Sequence, residues 1–249
     1  MKRRAKAGVR KRISPCKKNH AATVLSMTVD LFDLPGASSF RQRDPVILDT
    51  GAVLFPGMAR RESGPLLDAA RAVVRAAPFR HLMTPGGRRM SVAMTACGEW
   101  GWTSSLDGYR YSRTDPRTGA PWPSMPDLFR DLVRRATHEA GFAHVPLQSG
   151  LVNLYRPGTR MSLHQDREEQ ALDVPIVSVS FGVAATFLWG GMTRGDPVRR
   201  VRLEHGDVLV WGGPSRLRFH GVAPLAQAEH PETGACRVNL TFRRVTKLA

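Results

Sequence analysis

From residue 150 to residue 245 the chain is a succession of short β-forming runs divided by turn residues, with no helical periodicity between them. The runs fall at 150–155, 160–165, 174–181, 184–189, 198–204, 207–211, 216–220 and 236–245. Connections this short leave no room for helical crossovers, so the strands must pair antiparallel, in a sandwich or barrel. Eight of them predict a jelly roll.

Two helices precede this block. Ser63 can cap a helix through Leu66, Leu67, Ala70, Val73 and Val74 that ends before Pro78. A second runs over 126–140, with proline in its first turn, Leu128, Phe129, Leu132, Val133 and Ala136 as its apolar stripe, and Gly141 at its end. Residues 35–65 read as loop with one or two early strands. The predicted class is α+β and mainly β, a double-stranded β-helix (jelly roll) with two helices flanking one sheet.

At 249 residues the chain can bury one substantial core. No apolar run is long enough to span a bilayer, which predicts a soluble protein with no membrane partner. The net charge is +16, but nine basic groups sit in residues 1–26 among no acid, and taking these nine away leaves +7 for 27–249. A surplus of that size favours a polyanionic partner, because neutralising phosphates releases counterions. Like charges repel, so residues 1–26 are read as disordered, either a basic arm or an over-extended start before Met27. Cys16, Cys97 and Cys236 are few, odd in number and far apart, which argues against a disulfide framework and a cysteine zinc site and fits a reducing cytoplasm.

Between residues 79 and 125 glycines and prolines break up any long element into short pieces, and Trp100, Trp102, Tyr109 and Tyr111 lie among Arg80, Arg88, Arg89, Arg110 and Arg113. Rings beside cations suit unpaired bases, so this stretch reads either as a flap over a site or as an irregular surface.

His164 and Asp166 are two apart on one predicted strand and project to one face; a later strand can deliver His220. Two histidines and a carboxylate on one side of a metal leave positions open, the arrangement of non-haem Fe(II) oxygenases. His205-Gly206-Asp207 and His230-Pro231-Glu232 compete for the role, but the first has a glycine turn at its centre and the second lies in a loop. In the last strand Arg237, Asn239, Thr241 and Arg243 alternate with Val238, Leu240 and Phe242. Two arginines on one strand face suit a small dianion, and Leu151, Asn153 and Tyr155 share another face.

These features travel with a longer set of motifs. They include Met83-Thr84-Pro85-Gly86-Gly87, residues 90–95, Gly101-Trp102-Thr103, Pro121-Trp122-Pro123, Leu163-His164-Gln165-Asp166, Glu204-His205-Gly206-Asp207 and Val210-Trp211-Gly212-Gly213. Together with the final alternating strand they resemble the bacterial AlkB family, Fe(II)- and 2-oxoglutarate-dependent dioxygenases that repair alkylated nucleic acids. The resemblance runs from about residue 29 to residue 244.

The resemblance implies that His164, Asp166 and His220 bind iron and carry catalysis. It places 2-oxoglutarate against Asn153, Tyr155, Arg237, Asn239, Thr241 and Arg243, with Arg237 at the distal carboxylate and Arg243 nearer the metal. O2 is the cosubstrate. It makes 79–125 a nucleotide-recognition flap over a jelly-roll core at 148–245, within one domain spanning 27–249. Substrate contacts carry over to Trp102, Tyr109, Arg110, Tyr111, Glu168 and Arg194. The implied partner is alkylated DNA, single-stranded by preference, with RNA as an alternative, and the implied state is a monomer. Two departures from the family pattern bear on lesion choice. Glu168 stands where Asp is common, and Arg88-Arg89 replaces a pair that contains an aromatic.

The implied reaction is oxidative removal of N-alkyl groups, of the 1-methyladenine or 3-methylcytosine type, releasing formaldehyde, succinate and CO2. Two other readings compete: a 2-oxoglutarate oxygenase of proteins or small molecules, and a non-catalytic jelly-roll binding module. The first does not need the aromatic flap, and the second tolerates loss of a metal ligand.

Overall fold

A computed structural model describes residues 43–144 and 146–247. The expected basic arm or over-extended start at 1–26, and Cys16, lie outside the described residues. Chain order is β1 (Val46–Asp49), β2 (Ala52–Phe55), α1 (Ser63–Ala76), β3 (Ala93–Gly98), β4 (Gly101–Ser105), β5 (Gly108–Ser112) and α2 (Asp127–Glu139). There follow β6 (Ser149–Tyr155), β7 (Met161–His164), β8 (Ile176–Gly182), β9 (Ala185–Trp189), β10 (Arg199–Leu203), β11 (Val208–Trp211), β12 (His220–Val222) and β13 (Arg237–Arg243).

Seven strands form a major sheet in the order β1-β2-β11-β8-β13-β6-β3, and four form a minor sheet in the order β10-β9-β12-β7. The pairing in both is antiparallel throughout. This is the expected jelly roll. The hairpin β4-β5 stands apart as a two-stranded sheet.

Period-two alternation explains how one strand serves two environments. On β13, Leu240 and Phe242 pack with Leu66, Phe129 and Leu132 in the core between the major sheet and the helices. The intervening Arg237, Asn239, Thr241 and Arg243 face the space between the sheets and are buried. Next to them lies a second core, with Leu151, Tyr155, Phe187, Trp189, Leu209 and Trp211. Six of the seven residues of β13 are buried, on both of its faces.

Several local expectations change. Ser63 is the first residue of α1, and no side chain caps that helix. Its hydroxyl donates instead to the carboxylate of Glu232. Leu128 is exposed, because the buried stripe of α2 runs through Phe129, Leu132, Val133 and Ala136. The run at 216–220 is strand only from His220 onward. A 3-10 turn over Gly213–Ser215 precedes it, and Arg216 is pulled into the interior by carbonyls of Val174 and Asp166. Within 79–125, β3 is a buried strand of the major sheet paired with β6, so the free-standing part of that stretch is the hairpin.

Candidate metal centre and cosubstrate wall

His164 ends β7 and His220 begins β12, and the two are direct partners across the strand pair. Asp166 lies just beyond β7, and its two carboxylate oxygens sit 3.5 Å from His164 Nε2 and from His220 Nε2. All three ligand atoms lie within 4.8 Å of one another. The ring nitrogens are already sorted. His164 Nδ1 is 2.8 Å from the Ser162 carbonyl and His220 Nδ1 is 3.0 Å from the Arg218 carbonyl. A carbonyl only accepts, so both rings carry their proton on Nδ1 and leave the Nε2 lone pair free for a metal. Burial, reinforced by the neighbouring His220 ring, pushes His164 down to about 4, so it is neutral at pH 7. Burial opposes ionisation of Asp166, but the Arg243 guanidinium beside it holds its carboxyl well below the ordinary carboxylate range.

The polar face of β13 forms a wall beside this centre. Arg237, 1% exposed, donates to Ser180 Oγ at 2.9 Å and lies over the Tyr155 ring at 4.9 Å. Among the described residues its Nε and Nη1 have no hydrogen-bond partner. Asn239 Nδ2 donates to Ser178 Oγ, while its Oδ1 accepts from Asn153 Nδ2 and from Thr241 Oγ1. Arg243 donates to Asp166 Oδ2 at 2.6 Å and to Tyr111 Oη at 3.2 Å. A buried guanidinium with two unused donor nitrogens is costly unless an anion completes it, and a carboxylate matches that fork.

Centre and wall open into one cavity of about 700 Å³, which Trp102, Tyr109, Glu168 and Arg194 also line. The Trp102 and Tyr109 rings stack 5.6 Å apart at 17°. Burial and the adjacent carboxylates of Glu169 and Asp166 raise Glu168 above its ordinary value. The other two expected substrate residues sit elsewhere. Arg110 is exposed and does not line the cavity. Tyr111 turns inward, and its hydroxyl donates to Glu169 Oε1 at 2.5 Å.

A model of the 2OG-Fe(II) oxygenase superfamily matches residues 51–243. The Escherichia coli (strain K12) alpha-ketoglutarate-dependent dioxygenase AlkB is 49% identical over 200 residues, 80% of this chain and 93% of the relative. This chain belongs to the AlkB family. A Caulobacter vibrioides AlkB homolog is 44% identical over 205 residues, covering 80% of this chain and 90% of its own. The solved structure of OsALKBH1 superposes with a TM-score of 0.71 at 27% identity, covering 81% of this chain and all of that one.

As an AlkB-family member the protein is a dioxygenase that uses Fe(II), 2-oxoglutarate and O2. The residues present fit those groups: two imidazoles and a carboxylate for a borderline metal, and a buried guanidinium with unfilled donors for a dicarboxylate. The competing motif His205-Gly206-Asp207 is a turn. Gly206 has φ +84°, and Asp207 accepts the Gly57 and Glu204 amides.

Sequence reasoning missed Glu169 and Arg216. Glu169 is fully buried, and its carboxylate gathers Tyr111, Arg216 at 3.1 Å and Arg243 at 3.4 Å. No spacing signals this, because Arg216 comes from a turn 47 residues away. Ser178 and Ser180 were findable, since they alternate with Val177, Val179 and Phe181 on β8 as the polar residues do on β13.

Proposed function

We propose that this AlkB-family dioxygenase removes alkyl groups from N-alkylated bases in DNA, of the 1-methyladenine and 3-methylcytosine type, as a direct-reversal repair enzyme. One observation carries the proposal: the Trp102–Tyr109 stack shares a cavity with the His-Asp-His centre, under a rim of Arg88, Arg89, Arg160, Arg167 and Arg194. Aromatic faces for a base beside cations for phosphates suit a strand, not a free small molecule. The names of relatives support a nucleic-acid substrate. An Arabidopsis thaliana relative is a DNA N(6)-methyladenine demethylase, and a Schizosaccharomyces pombe relative is a tRNA demethylase.

In this reading His164, Asp166 and His220 hold the iron and do no proton chemistry. The bound metal supplies the oxidation that consumes 2-oxoglutarate and O2, yielding succinate, CO2 and formaldehyde. Arg237 grips the distal carboxylate of 2-oxoglutarate; Arg243 stands at the metal end; Asn153, Tyr155, Asn239 and Thr241 line the wall between. A flipped base held between Trp102 and His164 would bring its alkyl carbon to the three side chains that would hold the iron. Glu168 attracts the positive charge that N-alkylation puts on such bases. Tyr111 acts behind this surface, tying the hairpin to the centre through Glu169 and Arg243.

The catalytic domain is read as 27–249, with the flap at 79–125 and the jelly-roll core at 148–245, working as a cytoplasmic monomer on single-stranded DNA by preference and on RNA secondarily. Among the described residues no helix is long and apolar enough to cross a membrane. The test is formaldehyde release from methylated single-stranded DNA with Fe(II) and 2-oxoglutarate. Turnover of 2-oxoglutarate without any formaldehyde from the DNA would defeat the proposal.

A further inference from the structure

A second cluster of titratable groups sits away from the metal centre, where the turn after β10 meets the loop between β12 and β13. It joins His205, His230 and Glu232, whose side-chain ligand atoms lie within 4.8 Å of one another. The two imidazoles stack nearly parallel, with centroids 4.2 Å apart and planes 13° apart. Glu232 Oε1 is 3.1 Å from His205 Nε2, close enough to pair but out of line for a full hydrogen bond.

The arrangement resembles a metal site in composition but not in geometry. A metal lies in the plane of each imidazole that binds it, and two stacked parallel rings cannot both point at one ion. The proton positions also oppose metal binding. His205 Nδ1 accepts the Gly182 amide at 3.1 Å, and His230 Nδ1 accepts the Glu232 amide at 3.3 Å. An amide only donates, so each ring carries its proton on Nε2, the reverse of His164 and His220. The Nε2 lone pairs that a metal needs are absent.

The same bonds make the cluster sensitive to acid. A protonated imidazole has N–H on both nitrogens, so protonating either ring sets a donor against the backbone amide it now accepts. Protonating both also stacks two cations. We propose that His205 and His230 form an acid-released latch, closed while both rings are neutral, that holds the β12–β13 loop against the body of the jelly roll.

The latch is anchored on three elements. Glu232 accepts the Ser63 hydroxyl at the start of α1, and the Glu232 carbonyl accepts Arg71 at 3.3 Å. Thr233 Oγ1 donates to the Cys236 carbonyl, which also accepts the Val183 amide. Gly182 is the register partner of Arg237, so releasing its amide from His205 loosens the first residue of β13. The charged groups around the rings are Glu232 and Glu229 from the loop, Arg202 and Glu204 from the end of β10, and Arg60. Burial and His230 hold His205 below its ordinary value, Glu232 works against them, and Arg60 adds to the lowering. His205 therefore contributes stability in full above its unfolded value, and that contribution is lost as pH falls from there toward the folded one.

The test is hydrogen exchange of residues 226–237 in the full-length, metal-free protein, corrected for intrinsic exchange. Protection of this segment should fall about tenfold between about pH 7.5 and pH 5.5. A His205→Asn/His230→Asn double variant keeps an acceptor oxygen near each Nδ1 position but does not titrate, and should lose most of that dependence. Glu232→Gln removes the carboxylate that favours protonation, so its transition should move to lower pH. That variant decides the matter if the double variant does not fold. Unchanged protection of the wild-type segment, or an unshifted transition in Glu232→Gln, overturns the latch. So does zinc binding that Glu232→Gln abolishes, seen by calorimetry with the metal alone. None of these readouts depends on turnover or on a nucleic-acid substrate.

Discussion

Arg243 bonds the carboxylate of Asp166, a candidate metal ligand, at 2.6 Å while its other terminal nitrogen meets Tyr111 Oη at 3.2 Å. One guanidinium therefore touches both the metal centre and the hairpin over the cavity. Glu169 closes the circuit, accepting from Tyr111 and pairing with Arg216 and Arg243 while its own side chain is shut off from solvent. Such a network is costly to break at one member, because the arginines left behind remain buried and charged.

Glu169→Gln should lower the stability of the protein by about 3 kcal/mol, read as a shift of the urea midpoint at constant slope. A change under about 0.5 kcal/mol would mean that Arg216 and Arg243 do not depend on its charge.

His164→Ala should abolish 2-oxoglutarate turnover and weaken binding of the redox-silent surrogate Mn(II), followed by calorimetry. Retained turnover would remove His164 from the metal site. His205→Asn in parallel should leave Mn(II) binding intact, since His205 already uses Nδ1 as an acceptor.

Arg237→Gln leaves a neutral amide where two guanidinium nitrogens now lack partners. The KM for 2-oxoglutarate should rise by about a hundredfold as the charged pair with the distal carboxylate is lost. An unaltered KM would mean that the dicarboxylate is held elsewhere.

Part of the pH dependence of the metal-free protein should follow His164, alongside the share of His205. The folded value of His164, about 4, lies below the unfolded one, so the folded state binds fewer protons. The contribution of His164 is then full above about pH 6.5 and declines as pH falls toward the folded value. Asp166, also depressed, extends the loss to lower pH. In His164→Asn the slope in the upper part of that range should flatten in thermal melts; an identical slope would count against the assignment.

Arg88 and Arg89 line the cavity mouth. Replacing both with Ala should weaken binding to single-stranded DNA across sequences. The slope of log K against log salt should also become shallower, by about 0.7 for each phosphate that is no longer neutralised. A slope that does not move would place the phosphates on another face.

Much of this was legible before any coordinates. The closely spaced strands from 150 to 245 dictate antiparallel pairing, and His164-x-Asp166 with a later His220 already implies an open iron site. Where reading failed, nonlocal partners decided. Ser63 has the right residue type for a cap, but Glu232, 169 residues on, takes its hydroxyl. The sequence is also silent on what divides two neighbours in the hairpin, Tyr111 drawn onto Glu169 and Arg110 left in solvent.

The division is clearest on β13. The sequence by itself determined that Arg237, Asn239, Thr241 and Arg243 share a face, because side chains alternate with period two along any strand. It also determined the chemistry of that face, two guanidinium groups around an amide and a hydroxyl. Only the tertiary structure decided that this face turns inward. Alternation is silent about which side of a sheet meets water, and here α1 and α2 cover one side while the minor sheet covers the other.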